Sequence, residues 1–284
     1  MDATDFLNRI DGLRRHTGNG VRAPHKPLLL LFALARLKAG KATISYSEAD
    51  NVLPRLLRTY GPSGTRARVA DPFVRLRSDG IWQLDARPDL FDGSGQGRPA
   101  AMAAADPEAG FTDEVLDLLR RDPGLVDRAA RRLLDANFPP GLHDDIAAAV
   151  GLDLGPGEGT ARAPGFRDAV LRAYRCECAI CRFNLRSDDA LVGLEAAHLR
   201  WHALGGACEL GNGLALCVLH HRLLDLGVLT LSADFHVEVS GTVNGGSAEA
   251  LNRLHGQPIS LPTQSAHRPR SENIEWHRRN VFRG

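Results

Sequence analysis

The sequence predicts an α+β protein of two domains: a mostly helical N-terminal domain with a small β-hairpin, and a smaller C-terminal domain rich in cysteine and histidine. Three observations lead there. Apolar residues recur at helical spacing through much of the first half. A Gly-rich stretch, Leu154-Gly155-Pro156-Gly157-Glu158-Gly159-Thr160, breaks the chain near its middle. All five cysteines, at 176, 178, 181, 208 and 217, lie beyond that break. A chain of 284 residues is long enough for two domains that each bury a core. The expected boundaries are 1–152, a linker at 153–162, and 163–284.

In the first domain, Phe6, Leu7, Ile10 and Leu13 share one face of a short helix over 4–16, and Gly18-Asn19-Gly20 breaks the chain after it. Pro27 opens the apolar run Leu28-Leu29-Leu30-Leu31-Phe32-Ala33-Leu34-Ala35, expected to be a buried helix with the proline in its first turn. Ser47 is a candidate cap for a third helix carrying Val52, Leu53, Leu56 and Leu57 and ending near Tyr60-Gly61-Pro62. Phe73-Val74-Arg75-Leu76 and Ile81-Trp82-Gln83-Leu84 flank Ser78-Asp79-Gly80 and read as a β-hairpin. Residues 93–105 are expected to form a loop, followed by helices over 112–121, 124–136 and 143–150.

Charge is unevenly spread. The net charge is only +1, yet residues 14–77 hold 13 Lys and Arg against 3 Asp and Glu. A block that basic is what a polyanion-binding surface needs, although a solvated face would look the same. The longest apolar run, residues 27–35, is too short to cross a bilayer, and the acidic N-terminus lacks the features of a signal peptide. A cytoplasmic location is therefore expected.

An odd, clustered set of cysteines argues for metal rather than disulfides. Cys178-x2-Cys181 and Cys217-x2-His220 form two pairs with the same gap, a spacing that converges on a tetrahedral zinc ion. Cys176 is a looser alternative to Cys178, and Cys208 reads as a bystander.

His198 follows an apolar strand, Asn212 sits in a loop, and His221 lies at the start of a helix. This order, interleaved with the zinc pairs, resembles the HNH or ββα-metal endonucleases. The residues that carry the resemblance are Glu195-x2-His198-Leu199, Asn212-Gly213-Leu214-x-Leu216-Cys217 and His220-His221-x3-Asp225. The resemblance implies that His198 is the general base, that Asn212 fixes its loop, and that His221 holds a catalytic Mg²⁺ or Mn²⁺. Imidazole suits the role of base because it titrates near neutral pH. One departure is Ala197, where many family members carry an Asp or His metal ligand. The ion would then rest on His221 with Glu195, Asp225 or water.

Four further segments resemble the sulfur-binding domain of type IV restriction enzymes, which read phosphorothioated DNA. They are Ala23-Pro24-His25-Lys26-Pro27-Leu28, Pro72-Phe73-Val74-Arg75-Leu76, Asp79-Gly80-Ile81-Trp82 and His143-Asp144-Asp145-Ile146. The resemblance spans residues 5–152 and implies that His25 and Lys26 approach the modified linkage and that Pro72 and Phe73 line a sulfur pocket. Arg22, Arg66, Arg68 and Arg98 would contact phosphates or base edges. Asp71 stands where an aromatic neighbour is expected. Together these features imply an endonuclease acting on phosphorothioated double-stranded DNA, with a homodimer left open. The competing readings are a zinc-stabilised DNA-binding protein that does not cut, and an HNH nuclease directed to methylated bases. The latter usually needs an aromatic cage, and only 6% of this chain is aromatic.

Overall fold

A computed structural model describes residues 1–18, 21–85, 87–154 and 165–284. Asn19 and Gly20 of the expected chain break, and residues 155–162 of the expected linker, lie outside the described residues. The chain divides into two compact units, Met1–Glu158 and Gly159–Gly284. No helix among the described residues is long and apolar enough to cross a membrane.

The first unit begins with α1 (Ala3–Asp11), the short β1 (Thr17–Gly18) and β2 (Val21–Arg22), and α2 (His25–Lys38). Helix α2 is apolar on every side, and Leu28, Leu29, Leu30, Leu31 and Leu34 are fully buried. A helix of that kind must be central. Each such leucine contributes about 1.5–3 kcal/mol on burial. Strand β3 (Thr43–Ser45) runs into α3 (Tyr46–Tyr60). The cap of α3 is Ser45 rather than Ser47. Ser45 and Glu48 form a capping box, each side chain accepting from the other's backbone amide at 3.2 Å. The Ser47 hydroxyl instead donates to Asp106 at 2.9 Å.

The expected hairpin at 73–84 is replaced by α4 (Ala70–Arg75), a 3-10 turn (Leu76–Asp79) and β4 (Trp82–Leu84). Phe73, Val74 and Leu76 are all buried, a pattern that no two-residue period can produce. Pro72, unable to donate to a strand ladder, sits in the first turn of α4, where its missing N–H costs nothing. The partner of β4 comes later in the chain. After α5 (Pro99–Ala105), β5 (Glu108–Phe111) lies between β3 and β4 in an antiparallel sheet. Gly110 is required there, because a Cβ would stand 2.5 Å from the Ala42 carbonyl. Helix α5 also corrects the loop expected over 93–105: Pro99 starts it and an alanine run continues it. Helices α6 (Asp113–Arg121), α7 (Pro123–Asp135) and α8 (His143–Val150) complete the unit, with α3, α4, α7 and α8 packed around α2.

The second unit starts with α9 (Phe166–Ala173), followed by β6 (Leu185–Ser187), β7 (Ala190–Val192), β8 (Leu194–His198), β9 (Gly213–Cys217) and α10 (Val218–Asp225). The apolar run ahead of His198 is two strands rather than one. Gly193, at φ 67°, turns the chain between β7, which pairs with β6, and β8, which pairs with β9. The antiparallel β8–β9 ribbon and α10 form a ββα unit, and α9 packs on both strands. Gly213 makes that approach possible, because a Cβ would meet Val170 at 2.4 Å. Strands β10 (Leu229–Leu231) and β11 (Val237–Val239) pair antiparallel, and α11 (Ala248–Asn252) and α12 (Ser271–Asn280) follow. Helix α12 is pinned by His277, which is fully buried. Its Nδ1 lies 2.9 Å from the Thr230 hydroxyl and its Nε2 3.1 Å from the Leu224 carbonyl.

Candidate active site

Four metal-ligating side chains meet where the Cys178 knuckle approaches the start of α10. The donor atoms of Cys178, Cys181, Cys217 and His220 all lie within 4.8 Å of one another. The His220 Nδ1 is 3.5 Å from the Cys178 sulfur and 3.3 Å from the Cys217 sulfur, and the sulfurs of Cys181 and Cys217 are 4.0 Å apart. Zinc–sulfur bonds of about 2.3 Å and zinc–nitrogen bonds of about 2.0–2.1 Å, at tetrahedral angles, place sulfurs about 3.8 Å apart and sulfur and nitrogen about 3.5 Å apart. The arrangement therefore fits a four-coordinate ion of that size. Burial pushes the Cys181 and Cys217 thiols up, whereas at Cys178 burial is outweighed by hydrogen bonds from His220 and from the backbone of Cys181, Cys217 and Ile180, which bring the pKa down to about 6. Such amide donors are what a metal-bound sulfur needs to carry its charge.

A second cluster surrounds His221. Its Nδ1 is 2.6 Å from Glu195 Oε2 on β8, and its Nε2 is 3.4 Å from Asp225 Oδ2, one turn further along α10. His221 and Asp225 are buried and Glu195 is about one-third exposed. The two carboxylates flank opposite ring nitrogens, so a hard divalent cation on His221 could share the imidazole with one of them, Glu195 or Asp225.

His198 closes β8 with its ring stacked on Phe166, centroids 4.3 Å apart. The loop beyond it is shaped by Asn212, which is fully buried. Asn212 accepts from the Arg200 amide at 2.8 Å and donates to the carbonyls of Arg200 at 2.9 Å and Ala207 at 3.0 Å. This closes the loop onto the strand end that carries His198. Gly206 is part of the same closure, because a Cβ would lie 1.8 Å from the Arg200 carbonyl. Cys208, read as a bystander from sequence, places its sulfur 3.5 Å from His198 Nε2.

In the first unit, His25 begins α2 with Nε2 2.7 Å from the Arg66 carbonyl. Burial lowers its pKa, against the Arg66 hydrogen bond, which raises it. Arg68 faces Asp71 at 3.9 Å, and Arg22, Arg66, Arg68 and Arg98 are exposed.

Residues 3–154 match the ScoMcrA-like DNA sulfur-binding domain. The chain belongs to that family. Residues 178–232 of this sulfur-binding-domain protein match an HNH endonuclease domain. Similar solved structures include the sulfur binding domain of ScoMcrA complexed with phosphorothioated DNA, at 26% identity over 52% of this chain and 95% of that one, TM-score 0.46. The sulfur binding domain of SprMcrA complexed with phosphorothioated DNA matches at 24% identity over 54% and 95%, TM-score 0.44. The type IV phosphorothioation-dependent restriction endonuclease ScoMcrA matches at 25% identity over 60% and 38%, TM-score 0.43. No curated protein matched significantly.

Three residues of the sulfur-binding domain depart from the expected pocket. Phe73 is fully buried, its ring edge-on to Tyr46 and Trp82, and its carbonyl accepts from the Trp82 indole at 3.0 Å. It is a core residue and cannot line a surface pocket in this conformation. Lys26 is buried with its ammonium 2.5 Å from Asp79, so its charge is already paired. Pro72 is also buried, at the N-terminal end of α4. Sequence reasoning missed His202, whose Nδ1 lies 3.6 Å from the Cys208 sulfur. The His198-x3-His202 spacing was the available signal.

Proposed function

We propose that the protein is a restriction endonuclease that binds phosphorothioate-modified double-stranded DNA through residues 1–152 and hydrolyses phosphodiester bonds in the HNH domain by a single-metal mechanism. The observation that carries this reading is the combination, in one chain, of a sulfur-binding domain with an HNH domain; Asn212 closing the loop beyond His198 and His221 meeting Glu195 support it. A phosphorothioate replaces a non-bridging oxygen with sulfur, which is larger, softer and more weakly hydrated, so an apolar recess rimmed by cations can prefer it. His25, Arg22 and Arg98 are the residues assigned to that contact, with Arg66 and Arg68 on neighbouring phosphates.

In the nuclease domain, the His198 imidazole accepts a proton from the attacking water as its oxygen bonds to phosphorus and the 3′ oxygen departs. Stacking on Phe166 and the Asn212-closed loop restrict the orientation of His198, which is what a positioned base requires. His221 would hold Mg²⁺ or Mn²⁺ together with Glu195, Asp225 or water. That ion, when bound, supplies charge stabilisation for the transition state and the leaving oxygen. Cys178, Cys181, Cys217 and His220 would hold a structural zinc, which would tie the knuckle to α10. A DNA-restricting activity places the protein in the cytoplasm. The deciding experiment is incubation with Mn²⁺ and matched duplexes with and without a single phosphorothioate. Cleavage confined to the modified duplex supports the reading. Binding to both duplexes alike, with no cleavage of either, overturns it.

A further inference from the structure

The end of β8 gathers a third set of ligands that neither the zinc set nor the His221 cluster uses. The Cys208 sulfur stands 3.5 Å from His198 Nε2 and 3.6 Å from His202 Nδ1. The three donor atoms lie within 4.8 Å of one another. A tetrahedral zinc ion sets sulfur and nitrogen ligands about 3.5 Å apart, so both sulfur–nitrogen distances match those of one ion shared by the three side chains. We infer that His198, His202 and Cys208 form a second, solvent-accessible site for a thiophilic cation, zinc above all, and that a cation bound there occupies the general base and stops cleavage.

The donor chemistry selects the ion. Two imidazoles and a thiolate are soft ligands that favour zinc or cadmium, whereas Mg²⁺ and Mn²⁺ prefer oxygen. Three protein ligands leave a fourth position for water, as in open zinc sites. The site is preformed because Asn212 and Gly206 close the loop that carries His202 and Cys208 toward His198. It is reachable because His202 is exposed and the other two side chains are half-buried. On binding, Cys208 releases its thiol proton to solvent. His202 Nδ1, 3.0 Å from the Gly206 carbonyl, exchanges that hydrogen bond for the metal. The effect on cleavage rests on the reading of His198 as the base, whereas binding of the metal does not.

The test is calorimetric titration of zinc into the full-length protein already carrying one equivalent, paired with Mn²⁺-supported cleavage of modified duplex at rising zinc. The wild type should take up one further zinc per chain and lose cleavage as it does so. Cys208→Ala and His202→Ala should each bind that second zinc at least ~10-fold more weakly, because even the outer hydrogen-bond partners of metal ligands are worth that much. Whatever their cleavage rate in Mn²⁺ alone, each should keep a larger fraction of that rate than the wild type as zinc rises. Uptake of the second zinc by both variants with wild-type affinity overturns the site. Uptake by the wild type without loss of cleavage overturns the inhibitory role. If no variant cleaves under any condition, the nuclease reading is what has failed, and the calorimetry still decides the site.

Discussion

Acid should weaken the second unit through His277. This side chain is fully buried between β10 and the C-terminal end of α10, and burial pushes its pKa from 6.5 down to about 4. The folded state therefore holds the ring neutral over a range in which the unfolded chain protonates it. Stability from this group is complete above pH 6.5 and drains away as pH falls toward 4, because the unfolded state binds the extra proton. A shift of that size corresponds to about 3 kcal/mol in all, of which about 2 kcal/mol is lost by about pH 5. The perturbation is His277→Gln, which keeps a donor for the Leu224 carbonyl and removes the titration. Urea unfolding of wild type and variant, followed by tryptophan fluorescence at neutral pH and near pH 5, gives the difference between them at each pH, in which every other titrating group cancels. The variant should be the less stable at neutral pH, and its deficit should shrink by about 2 kcal/mol on acidification. Parallel loss of stability in both proteins would refute the reasoning.

Cys217→Ala should lose its zinc and unfold the second unit at lower temperature, since structural zinc supplies folding free energy to small domains; metal analysis and a thermal melt check both. His198→Ala should abolish cleavage while DNA binding and zinc content stay unchanged, read by gel shift and metal analysis. Glu195→Gln should raise the Mn²⁺ concentration needed for half-maximal cleavage and leave the structural zinc in place. Residues 1–152 alone should bind phosphorothioated duplex without cutting it, with affinity that falls as salt rises while the preference for sulfur changes less.

The parts of the site that were legible in sequence are those held by short spacing. Cys178-x2-Cys181 and Cys217-x2-His220 each turn within a few residues, so the pairs are visible without knowing how the loop between them runs. The positions of His198 at a strand end, Asn212 between strands and His221 on a helix were legible from their order. The meeting of His198, His202 and Cys208 was not, because it depends on a loop closed by a buried asparagine and by Gly206, whose need for space appears only in three dimensions. In the first unit, Phe73-Val74-Arg75-Leu76 could be strand or helix on composition, since a short apolar run carries no period. What decides it is Trp82, whose strand pairs with β5 and whose indole caps the Phe73 carbonyl. The Lys26–Asp79 ion pair joins residues far apart in sequence, and it turned an expected DNA contact into a buried pair.

The same limit explains why Ala197 looked like a defect. Side chains alternate along a strand, so Glu195 and Ala197 share one side of β8 while His198 takes the other. A missing ligand at 197 can be replaced from 195 without moving the backbone, provided the substitute is long enough to reach back. Glutamate has that length, and its carboxylate lies 2.6 Å from His221 Nδ1. Asp225, four residues after His221 on α10, approaches the other ring nitrogen. A carboxylate beside the imidazole carries more negative charge than a second histidine would. That charge would favour a hard divalent cation over softer ions at this position. The softer ligands are gathered instead around His198. The two sides of one strand end thus differ in the cation they would hold, and the division follows from which residues occupy alternate positions on β8.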